Sequence, residues 1–267
     1  MDRFVQYIKR LYLRIKYYRY GWKGNYTSWE AAMAKSSGYH AVTVIEKVKA
    51  AALQVKNGLA VFEKDGRLYN EITLSWPLLS HLLWIAGKRG QQLSVLDWGG
   101  ALGSSYFQNR AYLQHLASLQ WSIVEQPGFV AAGKEGIEHG PLAFFNSIDE
   151  VLAAKGKQDV LLLSCVLPYL EKPYDFLLAA AAKNIPYIII DNTYFNPAPG
   201  NRLTLQRVPP VYYDAVYPAW FLDYQQVIAA LQGRYEVLSA YNNSDILYLD
   251  GQLVNYKGCI MQLKTCI

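Results

Sequence analysis

The sequence predicts an α/β fold: a mostly parallel sheet with helices on both faces, a C-terminal antiparallel hairpin and an N-terminal helical extension. Three observations carry this. From Leu93 onward, short apolar runs of strand length alternate with helix-sized segments, the pattern of a parallel sheet covered on both sides. Within it, Val95-Leu96-Asp97-Trp98 runs into Gly99-Gly100-Ala101-Leu102-Gly103, a tight strand-to-helix turn that offers a helix N-terminus to a nucleotide-like ligand. Near the end, the segments 235–240, 246–249 and 259–263 read as strands joined by turns such as Asp250-Gly251, which closes the sheet with an antiparallel pair.

The elements follow in order. Phe4, Ile8, Leu11, Ile15, Tyr18 and Trp22 recur at spacings of three and four, the signature of an amphipathic helix. Residues 1–24 hold seven basic side chains (Arg3, Lys9, Arg10, Arg14, Lys16, Arg19, Lys23) against Asp2 alone, a local excess of +6 that accounts for the whole formal charge of +5. Such a helix suits an anionic membrane surface; docking on the protein body with solvated cations is the alternative. An aromatic and polar stretch follows, from Lys23 to Gly38. Helices are expected over 42–55 and 76–87. Strands are expected over 94–97, 122–125, 142–145, 160–164 and 187–191. Residues 1–90 are therefore read as a basic helix plus a helical cap or lid, and 91–267 as the ligand-binding domain.

Composition excludes several classes. With 52% hydrophobic and 18% charged residues, the chain is an ordinary globular protein. Outside residues 1–24 it is near neutral, so no broad nucleic-acid-binding face is expected. Cys165, Cys259 and Cys266 lack metal-ligand spacing, and so do the four histidines His40, His81, His115 and His139; no metal is predicted. No signal-peptide pattern or membrane-spanning run is present. A reducing cytoplasmic setting is expected, with peripheral contact at the inner face of the membrane through residues 3–23.

The chemistry centres on the glycine turn. Glu125, closing the next strand, is placed to accept both ribose hydroxyls of an adenosine. About ninety residues precede the turn, and a hairpin stands where a dinucleotide-binding domain would have a second parallel half. That architecture suits the class I S-adenosylmethionine-dependent methyltransferases, a Rossmann-like fold. A set of segments carries the likeness further: Gly24-Asn25-Tyr26-Thr27-Ser28-Trp29, Ser37-Gly38-Tyr39, the run from Leu96 to Phe107, Val124-Glu125-Gln126-Pro127, the run from Leu163 to Leu170, and Leu203-Thr204-Leu205-Gln206-Arg207-Val208-Pro209. Together they resemble a family of bacterial methyltransferases associated with surface-polysaccharide biosynthesis.

The resemblance implies S-adenosyl-L-methionine as cofactor. Asp97 would lie near its methionine moiety, and the backbone of Gly99, Gly100 and Gly103 beneath it. Glu125 and Gln126 would hold the ribose, with Asn146, Ser147 and Ile148 flanking the adenine. Ser164 follows the fourth strand, where cofactor and acceptor meet. The family pattern often places an arginine after the acid ending the fifth strand and an acid after Tyr39; here Asn192 and His40 stand there.

Methyl transfer to a sugar hydroxyl needs alignment and a proton acceptor. His40, in the segment before the main domain, and Asp191, at the carboxyl end of a strand, are the candidate bases; a capping role is the alternative for each. Glu63 and Asp65 are read as part of a lid, more simply as an exposed turn. Tyr194, Tyr212, Tyr213, Tyr217 and Trp220 could stack on sugar rings, and Gln206 and Arg207 could bind hydroxyls or a phosphate; equally, the tyrosines could pack a long proline-punctuated connection. Cys165 lacks a neighbouring base and reads as a small buried residue. The expected activity is O-methylation of a saccharide or lipid-linked saccharide precursor. The competing readings are a non-catalytic glycan- or protein-binding module on the same fold, and an NAD-dependent sugar-nucleotide enzyme, for which the tyrosine-lysine pairing after the fourth strand is not evident.

Overall fold

A computed structural model describes residues 20–36, 41–212 and 214–264. Most of the expected N-terminal helix, His40 and Tyr213 lie outside the described residues. The elements in chain order are β1 (Gly21–Tyr26), α1 (Trp29–Met33), α2 (Ala41–Lys56), β2 (Phe62–Lys64), β3 (Arg67–Tyr69), α3 (Trp76–Lys88), β4 (Gln92–Trp98), α4 (Ser104–Leu113), β5 (Ser118–Val124), α5 (Pro127–Ala132), β6 (Leu142–Phe145), α6 (Ile148–Lys155), β7 (Val160–Ser164), α7 (Pro173–Ala181), β8 (Tyr187–Thr193), β9 (Arg202–Arg207), β10 (Val216–Phe221), α8 (Tyr224–Gln232), β11 (Tyr235–Leu249) and β12 (Gln252–Leu263). A π-helical turn (Gly133–Ile137) and a 3-10 turn (Leu167–Tyr169) complete them.

Seven strands form the main sheet in the order β11-β12-β8-β7-β4-β5-β6. The five from β6 to β8 run parallel, while β12 is antiparallel to both β8 and β11. This is a Rossmann-like α/β arrangement, with the C-terminal hairpin in place. The strands read as continuous apolar runs because both faces are covered. Alternation divides them: Val95, Ile123, Leu162 and Ile189 pack beneath α2, α3 and α4, whereas Leu96, Val124, Leu161, Leu163 and Ile188 pack against α7 and α8. The chain leaves β4 first toward β5 and β6, then crosses back to β7. The switch point therefore lies between β4 and β7, where open α/β sheets bind ligands at the carboxyl ends of the strands.

Two departures matter for the site. The aromatic stretch after Tyr20 is a strand: β1 pairs with β9, and β9 with β10, in a separate three-stranded antiparallel sheet. Trp22, expected as the last residue of the N-terminal helix, lies in β1, and strand pairing crosses the expected boundary at residue 90. The second departure is the small hairpin β2–β3, an arm outside both larger sheets. In addition, the segments expected as two strands over 235–240 and 246–249 form one continuous β11, with a register shift between Asn242 and Ile246.

Candidate active-site cleft

At the carboxyl edge of the parallel strands lies an open cleft of about 2140 Å³. Pockets for one drug-sized ligand measure ~300–1,000 Å³, so two ligands have room here. Gly99, Gly100, Glu125, Gln126, Asn146, Ser164, Asp191, Gln206, Arg207 and Tyr217 all line it. Residues up to 118 positions apart in sequence, from Gly99 to Tyr217, thus meet on one surface. Among the described residues, seven non-glycine residues have positive φ, and Asp65, Ala101, Cys165, Asn192 and Asp250 of these line the cleft. Each such conformation costs of order 1–3 kcal/mol, and such strain gathers at functional sites.

One half of the cleft is built from the glycine turn. Gly99 has φ +74, and a Cβ there would fall 2.4 Å from Val166 Cγ2; one on Gly100 would fall 2.6 Å from Asp97 Oδ2. The turn is therefore bare backbone wedged between the loop after β7 and the carboxylate below. Ala101, with φ +48, lines the cleft as part of that turn, whereas Gly103, the N-cap of α4, does not line it. Glu125 stands opposite, one residue past β5. Its Oε2 accepts from the Gln126 N–H at 2.7 Å. Burial raises the Glu125 carboxyl, against the N–H groups of Gln126 and Ala101, which favour the ionised form.

Asp97 is placed differently from expectation. It is fully buried beneath Gly100, outside the cleft lining, and its Oδ2 accepts from the Trp121 indole N–H at 3.0 Å. Its Oδ1 is buried without a partner among the described residues. Burial pushes its pKa up to about 7; the Trp121 bond opposes this and the Glu125 charge adds to it. Asp97 supports the turn from below. Ser147 and Ile148 also leave the site: the Ser147 hydroxyl accepts from the Glu150 N–H at 3.1 Å as the cap of α6, and Ile148 packs into the core. Only Asn146 of that trio lines the cleft, with its backbone N–H donating to Glu150 Oε2 at 2.8 Å.

The other half is assembled from distant segments. Asp191 lines it, yet it is only 3% exposed. Its Oδ1 accepts from Ser75 Oγ at 3.0 Å, the Tyr241 hydroxyl at 2.8 Å and Asn243 Nδ2 at 3.1 Å. Burial raises its pKa against those bonds. Through Oδ1 the carboxylate ties α3, β8 and β11 together. Asn192, with φ +45, donates from Nδ2 to Asp245 Oδ2 at 3.0 Å, and Lys64 Nζ reaches the same oxygen at 2.9 Å. Burial raises the Asp245 carboxyl, but Lys64 outweighs it and holds the group below the usual carboxylate range. Cys165, which lines the cleft, has its thiol pushed up to about 12, chiefly by burial, and is no nucleophile at neutral pH.

The three-stranded sheet supplies the outer wall. Gln206 Oε1 accepts from the Tyr169 hydroxyl at 2.9 Å, and Tyr169 meets Tyr217 edge-on with ring centroids 5.5 Å apart. Gln206 and Arg207 are neighbours at the end of β9 and both line the cleft. Tyr194 is a correction. It is fully buried, its hydroxyl accepts from the Trp22 indole N–H at 3.0 Å, and it packs with Phe221 and Leu247. Glu63 is another: it is not an exposed turn residue but fully buried. Its pKa is pushed up to about 7 by burial, against bonds from Ser104 and the Gly66 N–H. Of the Lys64, Asn192 and Asp245 cluster, the sequence marked Asn192 alone, as the residue after Asp191.

No protein-family model matches the chain, and no curated protein matches it. Several solved structures do resemble it. The N-terminal domain of EvdMO1, crystallised in the presence of S-adenosylhomocysteine and D-fucose, is 15% identical, covering 82% of this chain and 97% of that one at a TM-score of 0.46. The N-methyltransferase NodS from Bradyrhizobium japonicum WM9, in complex with S-adenosylhomocysteine, is 11% identical over 80% of this chain and 100% of that one, TM-score 0.44. The 1,6-didemethyltoxoflavin-N1-methyltransferase of Burkholderia thailandensis is 13% identical over 86% and 92%, TM-score 0.44. At such identities the likeness is one of fold. Among the described residues, no helix is long and apolar enough to cross a membrane.

Proposed function

We propose that this protein is an S-adenosylmethionine-dependent methyltransferase that methylates a hydroxyl of a saccharide or lipid-linked saccharide precursor. The observation that carries the reading is the meeting of the bare Gly99-Gly100-Ala101 turn and Glu125 across one cleft, at the switch point of the sheet. The residues fit the cofactor. The turn admits close backbone approach, and Glu125, which lines the cleft, offers its carboxylate to a ribose diol. The bound sulfonium would supply an activated methyl group. The chain's own work is to align the acceptor and exclude water. Tyr169, Tyr217 and Gln206 offer aromatic and hydrogen-bonding surface to a sugar. Asp191, whose Oδ1 holds three donors, fixes the acceptor wall and remains the candidate base there.

Calorimetry with S-adenosylhomocysteine tests this. Micromolar binding, ~8 kcal/mol, is expected for the wild type. Glu125→Ala should weaken it at least ~tenfold, because hydrogen bonds to a charged group contribute ~1.5–3 kcal/mol each. A folded wild type that does not bind, or an unaffected variant, overturns the reading. A lipid-linked acceptor would also bring the enzyme to a membrane, and the basic residues 3–23 suit that contact. Neutralising Arg10, Arg14 and Lys16 should then abolish binding to anionic vesicles; unchanged binding refutes it.

A further inference from the structure

Glu63 and Lys64 are neighbours in β2, so their side chains leave the strand on opposite sides, and each is fixed to a different wall of the cleft. Glu63 Oε1 accepts from the hydroxyl of Ser104, the first residue of α4 and the end of the glycine turn; Oε2 accepts from the Gly66 N–H at 3.2 Å. Lys64 reaches the other way, to Asp245 on β11, whose Oδ2 is shared with Asn192 of β8. Between the two, the arm's own turn lies against α2: a Cβ on Gly66 would come within 3.3 Å of the Val48 backbone nitrogen. A two-stranded hairpin is at best marginal by itself, so these attachments set where the arm sits. Glu63 is fully buried, and a buried polar group is costly unless partnered, so losing Ser104 penalises the seated position of the arm. The Lys64–Asp245 pair is half-exposed and directs the arm's other side toward the acceptor wall, while buried Phe62 adds an apolar contact.

We propose that the β2–β3 arm couples the two halves of the cleft, with Glu63 as the positioning residue. A cofactor seated along the turn from Gly99 to Ser104 fixes Ser104, Ser104 fixes Glu63, and Glu63 sets Lys64 against Asp245 on the acceptor side. Order on the cofactor side thereby prepares the acceptor side. This rests on the S-adenosylmethionine reading of the cleft.

The test is amide hydrogen exchange on the full chain with and without S-adenosylhomocysteine, with affinity measured in parallel. In the wild type the ligand should slow exchange at 99–104, in the arm at 62–69, and around Asp245. Glu63→Ala should keep the protection at 99–104, lose it in the arm and around Asp245, and bind about tenfold more weakly, within the range of ordinary coupling energies. Glu63→Gln, which keeps an acceptor for Ser104, should restore both. If Glu63→Ala does not fold, Ser104→Ala removes the same bond from the other side and must give the same loss. Protection confined to 99–104 in the wild type, or protection around Asp245 that survives Glu63→Ala, overturns the coupling. A wild type lacking protection even at 99–104 overturns the cofactor reading and the coupling with it.

Discussion

Replacing Asp97 with asparagine should make the protein relatively more stable as pH rises. The carboxyl is fully buried, and its pKa stands at about 7 against an ordinary 3.8. Between those values the folded chain holds a proton that the unfolded chain has released, so stability falls with rising pH, and the loss is complete above about 7. At ~1.4 kcal/mol for each pH unit separating the two values, the loss is roughly 4 kcal/mol. Asparagine keeps an oxygen for the Trp121 indole N–H, which now lies 3.0 Å from Oδ2, and it carries no titrating group. Urea unfolding of both proteins at pH 4, 6 and 8 gives the difference directly. That difference should move by roughly 4 kcal/mol in favour of the variant from pH 4 to pH 8. Glu63, also near 7, titrates in both proteins and cancels. A difference that stays constant with pH would mean that Asp97 ionises normally in the folded chain, and would refute the placement of an uncompensated carboxylate under the turn.

Two further substitutions separate scaffold from site. Gly99→Ala puts a methyl group 2.4 Å from Val166 Cγ2 at φ +74; it should cost ~1–3 kcal/mol and abolish S-adenosylhomocysteine binding, and adding Val166→Ala should recover part of the stability in thermal unfolding. Tyr194→Phe leaves the Trp22 indole N–H without its acceptor, so it should cost ~1–3 kcal/mol while calorimetric affinity for S-adenosylhomocysteine is unchanged; weakened binding would return Tyr194 to the site.

The main sheet was legible because its parallel strands are apolar runs that stop at a polar residue (Asp97, Glu125, Asn146, Ser164 and Asp191), a local signal that survives any tertiary context. The three-stranded sheet was not. In β9, Leu203 and Thr204 are both buried, the threonine hydroxyl being satisfied by the Ala219 carbonyl at 2.7 Å, so the alternation that marks a half-exposed strand is blurred. Two glycines in β1 obscure it similarly. The placement of Ser147 was legible and was missed: Ser147-Ile148-Asp149-Glu150 is a serine three residues before a glutamate, the sequence of a helix start. The cap it predicts is the one observed.

The two halves of the cleft differ in the same way. The cofactor half consists of a backbone turn and the ends of β4 and β5, each specified by a few consecutive residues, so reading along the chain finds it. The acceptor half brings Lys64, Cys165, Asn192, Gln206 and Asp245 together from five segments, and what each does depends on partners far away in sequence. Tyr194 shows the consequence: an exposed tyrosine for a sugar and a buried one for the Trp22 indole are the same residue until the partner 172 positions away is placed. Glu63 shows it in reverse, since only the fold reveals that this acid faces Ser104 and not solvent. Acceptor specificity is thus written in pairings across the chain, and variants that break one pairing at a time, beginning with Lys64 and Asp245, are the means of reading it.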